Sequence, residues 1–235
     1  MRRRTKVLIG SAVALVLIGG TAAIAGPIVY RDVIAKPADA VPTISAGPGT
    51  LGSTPTGRLS AADVDGAWSV GSGSEAGYRV NEVLNGTDVT VTGRTSEVTG
   101  SLTVQDLTLT KAELSVDVAS IATDSQNRDD YFRSTALRTD RFPKATFVLT
   151  KAAKPAAAPK AGETVKQSVT GDLTLAGKTR SVTFEVEVRS DSSQTQIAGQ
   201  IPITFADYGV EAPSLGFVKV EPKGFVEFQL LAHKG

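Results

Sequence analysis

From Asp63 to the C-terminus the chain alternates apolar and polar residues with a period of two. Val89-Thr90-Val91-Thr92, Leu102-Thr103-Val104 and Leu107-Thr108-Leu109-Thr110 set the rhythm. It continues with Leu114, Val116 and Val118, with Leu173 and Leu175, and with Val182, Phe184, Val186 and Val188. Ile201, Ile203 and Phe205 follow, then Val226, Phe228 and Leu230. Such alternation gives each strand one apolar face and one wet face. Asn85-Gly86, Gly93, Gly100, Gly171, Ala176-Gly177-Lys178 and Asp191-Ser192-Ser193 read as turns between strands. No strand–helix–strand rhythm is present. The expectation is an all-β antiparallel domain over 63–235, of about eight strands. Closing it into a barrel would leave no free edge. An eight-stranded barrel encloses either a packed core or one small ligand, and the pattern is compatible with both.

Two stretches break the rhythm. Asp124 to Phe142 is charged and not alternating; it has room for one or two short helical turns, with Asp124 or Ser125 as the N-cap and Pro143 as the stop. Lys151 to Gly162 is small, Pro-containing and low in complexity, and reads as a long exposed connection between strands.

The N-terminal end is of another kind. Arg2, Arg3, Arg4 and Lys6 precede a run from Val7 to Tyr30 without a charged residue. That run exceeds the ~20 residues needed to cross a bilayer core, and the cations hold its near end in the cytoplasm. Residues 1–36 are therefore expected to be a cytoplasmic tip and a single-pass transmembrane anchor, with the rest of the chain extracytoplasmic at the cell membrane. The competing reading is a cleaved signal peptide, since Ala23-Ile24-Ala25 resembles a cleavage site and the chain would then be secreted. Residues 37–62, rich in Pro, Gly, Ser, Thr and Ala, read as a flexible linker.

Composition narrows the chemistry. With no cysteine there is no disulfide, thiolate metal site or Cys nucleophile. Beyond residue 36 there are 19 basic and 23 acidic residues, so nothing attracts nucleic acid. The one histidine, His233, lies three residues from the end. No metal-ligand cluster, phosphate-cradling Gly loop or nucleophile elbow occurs. Glu185 and Glu187 sit two apart on a strand and face solvent. No catalytic residue, metal or cofactor is assigned, and the oligomeric state is left open. Asn127-Arg128-Asp129-Asp130 is the densest polar cluster. It reads either as a cap and ion-pair network holding a loop to the barrel rim, or as residues at a barrel mouth that touch a ligand's head. Arg128 is expected to be structural, bound to Asp129, Asp130 or strand carbonyls.

The stretch Leu114 to Thr150 resembles the central signature of the YceI-like family. Its parts are Ser120-Ile121-Ala122-Thr123, Arg128-Asp129, Phe142-Pro143 and Thr146-Phe147. Val169 to Thr179 is similar to the family's second signature, Phe205 to Val210 to its late aromatic-Gly segment, and Trp68 to its opening Trp. Tyr131 stands near where many members carry a His shortly after Arg-Asp. The resemblance implies a lipocalin-like barrel with an apolar tunnel for a long isoprenoid or quinone-like lipid, and a carrier or sequestering role rather than an enzymatic one. Val116, Val118, Phe147, Leu149, Leu173, Phe184, Val186, Ile203, Phe205 and Phe228 are then the expected lining. A filled barrel that holds an envelope partner on its wet face is the alternative.

Overall fold

A computed structural model describes residues 38–44 and 57–235, except 85 and 217. The Val7–Tyr30 segment lies outside the described residues. Among those described, no helix is long and apolar enough to cross a membrane.

A short helix α1 (Ala61–Val64) leads into β1 (Gly66–Val70), β2 (Glu75–Leu84), β3 (Thr87–Thr95), β4 (Val98–Gln105) and β5 (Thr108–Asp117). An insertion follows: a 3₁₀ turn (Val118–Ser120), helix α2 (Gln126–Tyr131) and a π turn (Phe132–Ala136). Then come β6 (Lys144–Lys151), β7 (Thr164–Leu175), β8 (Lys178–Ser190), β9 (Gln194–Thr204), a 3₁₀ turn (Phe205–Tyr208), β10 (Ser214–Leu215) and β11 (Val218–Lys234). The strands pair antiparallel in the order β1-β4-β5-β6-β7-β8-β9-β11, and β1 pairs back onto β11 to close an eight-strand barrel. Registers such as Val169↔Phe184 and Phe228↔Gly199 put the alternating apolar residues on the inside.

The barrel is not uniform along its axis. β11 pairs with β1 at Ala232–Lys234 and with β2 from Val218 to Gln229, so β1 and β2 follow one another along it. β3 pairs with β2; its other edge meets the insertion, through a bridge between Arg94 and Ala122. The insertion docks beside this edge, with Phe132 stacked on Tyr78 at 4.9 Å between centroids.

Three expectations need correction. Gly93, Gly100 and Gly171 are inside β3, β4 and β7 rather than in turns. The reason is close approach: a Cβ on Gly171 would lie 2.3 Å from the Phe147 ring. Glycine in a strand marks such an approach as readily as a bend. Next, Lys151–Gly162 is not simply exposed. Ala153 is buried and pairs with Leu109, and Leu59 N–H donates to the Pro159 carbonyl at 2.8 Å. This segment, Leu59, Val64 and Trp68 cap the β1 end of the barrel. Trp68 Nε1 donates to the Val64 carbonyl at 2.8 Å, so its buried N–H is satisfied. Third, parts of 37–62 are held. The Asp39 N–H donates to Thr92 Oγ1 at 3.1 Å, the Asp39 carbonyl accepts from Arg79, and the Ile44 N–H donates to Glu187 at 3.2 Å. Residues 38–44 therefore cross the outer wall from β3 to β8. Nearer the barrel, Ser60 caps α1 reciprocally with Asp63, and those hydrogen bonds hold the Asp63 carboxyl below its ordinary range.

Candidate functional site

Inside the barrel lie two cavities, of about 230 and about 1080 Å³. Ala76, Val116, Ala145 and Val226 line both, so the two adjoin inside the barrel. Strands such as the 13-residue β8, at ~3.3 Å per residue and tilted ~35–45°, give a passage on the order of 30 Å long.

The smaller cavity lies toward the Trp68 cap. Val116, Phe147, Leu173, Phe184, Val186 and Phe228 all face it. Phe184 meets Phe147 edge-on at 5.5 Å and Phe228 edge-on at 5.9 Å, so three strands contribute rings to one belt. Those rings could have filled the barrel. The glycines prevent it: Gly171 accepts Phe147 and Gly199 accepts Phe228, where a Cβ would sit 2.3 and 2.9 Å from the ring atoms. The rings lie against the wall, and space is left at the centre.

The larger cavity lies at the other end. Val118, Ile203 and Phe205 face it, and Val116 lies at the join. Val118 and Phe205 come from 3₁₀ turns, not from strands, because the chain leaves the sheet there to round the barrel rim. Leu149 faces neither cavity; it is half-buried and packs between the two core clusters.

Several lining residues carried no sequence signal strong enough to single them out. β2 contributes Ala76, Tyr78, Val80 and Glu82 to the large cavity. Their alternation is present in the sequence but is interrupted by a charge at the inward position 82. The insertion contributes Arg128, Tyr131, Phe132 and Leu137. Arg128 does make ion pairs, though not with the neighbours expected: Nη1 donates to Asp124 Oδ1 at 2.7 Å, and Nη2 to Glu82 Oε1 at 3.4 Å. Asp129 instead accepts from the Thr123 N–H at 2.9 Å and the Thr123 hydroxyl at 2.7 Å, while Asp130 pairs with Arg133. The helical geometry explains this, since i and i+4 side chains share a face whereas adjacent ones diverge. The cluster ties the insertion to β2, as the first reading expects, and Arg128 also lines the large cavity.

The Tyr78 phenol is pushed well above its ordinary range, first by burial, then by Asp129, Glu82 and Asp124, with Arg128 opposing. Burial likewise raises Tyr208, which lines the same cavity. Both present neutral hydroxyls. Among the described residues no group of His, Asp or Glu could hold a metal ion.

The site is thus a closed antiparallel barrel around an elongated, mostly apolar lumen. The chain belongs to the YceI-like domain family, whose model matches residues 68–232. Two solved structures share the fold. One is Burkholderia cenocepacia BcnA, with 23% identity and a TM-score of 0.52 over 66% of this chain and 95% of that one. The other is a polyisoprenoid binding domain from Saccharophagus degradans implicated in plant cell wall breakdown, with 18% identity and a TM-score of 0.55 over 72% and 98%. No curated protein matches the chain.

Proposed function

We propose that this protein binds one long apolar lipid of the isoprenoid or quinone-like class and carries or sequesters it outside the cytoplasmic membrane. The observation that carries the reading is the elongated lumen, largely apolar at its narrow end and with its charged side chains, Glu82, Arg128 and Glu211, at its wide end. Each methylene-sized group moved from water into such a lumen contributes ~0.8 kcal/mol. A chain of several isoprene units therefore binds without charged contacts, even after the cost of ordering it. The polyisoprenoid binding domain with the same fold supports the choice of class. The run Val7–Tyr30 behind three arginines supports a membrane tether with the barrel on the extracytoplasmic side. No catalytic step is proposed.

Organic extraction and mass analysis of the protein purified from its host tests this. A stoichiometric long-chain apolar molecule is expected. An empty protein that also takes up none of the host lipid offered to it would replace this reading with the filled-barrel interaction module.

A further inference from the structure

The lumen has an anomaly at its wide end. Glu82 points inward from β2, and its side chain is 8% exposed. A carboxylate offers about four acceptor sites. Glu82 meets a single donor among the described residues, Arg128 at 3.4 Å, which is near the limit of a hydrogen bond. Buried carboxylates are normally satisfied several times over, because taking an ion from water without partners is costly. Arg128 does not repair this. It is anchored more closely to Asp124, at 2.7 Å. Beyond this pair, the charged residue lining the large cavity is another acid, Glu211. The remaining polar lining includes Tyr78, Tyr131, Ser125 and Asn127, all uncharged.

We infer that Glu82 is the acceptor for a hydroxyl on the ligand's head, so that the large cavity takes a prenol- or prenylphenol-type lipid and rejects its phosphorylated form. This rests on the lumen being a lipid site, as proposed above. A hydroxyl donates to the carboxylate at an acceptor position that Arg128 leaves open toward the cavity. An ether of the same chain has no proton to donate. A phosphate brings negative charge against Glu82, in a cavity whose one lining cation among the described residues is already held by two carboxylates. Like charges brought together out of water repel strongly.

The test uses the full chain in amphipol, stripped of endogenous lipid, with a tritiated long-chain prenol as the probe. The unlabelled prenol, its methyl ether and its monophosphate, all of one chain length, compete for the site. The ether is expected to compete roughly ten- to a hundredfold more weakly than the prenol, the loss of one hydrogen bond to a charged acceptor. The phosphate should be weaker by about a hundredfold or more. In Glu82→Gln the preference for prenol over phosphate should shrink by at least about tenfold, since the repelling charge is gone. If the ether or the phosphate matches the prenol in the wild type, or if Glu82→Gln leaves the size of the prenol-over-phosphate preference unchanged, the assignment is wrong while the lumen remains a lipid site. If the tritiated prenol itself does not bind, the lipid-site reading falls and takes this one with it.

Discussion

Two buried carboxylates point to opposite sides of the same sheet, and they are treated differently. Glu227 faces outward from β11 and is fully buried. It accepts from Arg79 Nε at 2.6 Å, and from Arg94 and Gln200, while residues 38–44 lie across the neighbouring wall. Glu82 faces inward, buried almost as deeply, with one long ion pair. The first is a structural joint: it ties β2, β3, β9 and β11 together on the outside. The second has acceptor capacity to spare. The difference teaches where this fold keeps its polar order and where it holds an acceptor in reserve. On the wall the buried carboxylate meets three donors, and in the lumen it meets one, at the edge of hydrogen-bond distance.

Removing each carboxylate separates the two roles. Glu227→Ala strands two arginine charges in the wall and should lower stability by about 3–5 kcal/mol, the usual loss on breaking a buried ion pair from one side. Glu82→Gln should change stability by less than about 1 kcal/mol, because it weakens only the long ion pair with Arg128. Denaturant unfolding of both, without lipid, measures the contrast; equal losses would erase it. A smaller effect comes from the phenols. Tyr78 is raised in the folded protein, so the native state keeps its proton after the unfolded chain has released it. Its contribution is complete below the ordinary value of 10 and is lost as pH rises beyond it. Tyr78→Phe should therefore flatten the fall in melting temperature above pH 10. An unchanged alkaline slope would show that the ring is not sealed beneath Phe132.

Much of the barrel was legible because alternation is a local property. Val182 to Val188 and Val226 to Leu230 each declare their inner face without reference to any other strand. The glycines were not legible in the same way. Gly171 in a sequence is equally a turn or a space for a ring, and only the arrival of Phe147 from β6 decides it. Val118 and Phe205 read as strand residues because period two persists for one residue beyond the point where hydrogen bonding stops. β2 is hidden in the sequence because its inward face carries Glu82. The residue that obscures the strand is the one assigned to the ligand's head; local rules are expected to fail at such sites. The docking of 38–44 depends on Thr92, Arg79 and Glu187, all far along the chain, so composition alone points to a free linker.

The central claim is that the lumen is a container and not a filled core. Its most direct test is the stoichiometry of uptake, by native mass spectrometry, of a long-chain prenol into delipidated wild type beside Phe184→Trp. Phe184 sits at the middle of the aromatic belt, where a larger ring crowds the passage. The wild type should take up one molecule per barrel, and the folded variant should take up far less. Equal uptake by the two proteins would place the lipid elsewhere, and no uptake by the wild type would show that the barrel is filled by its own side chains.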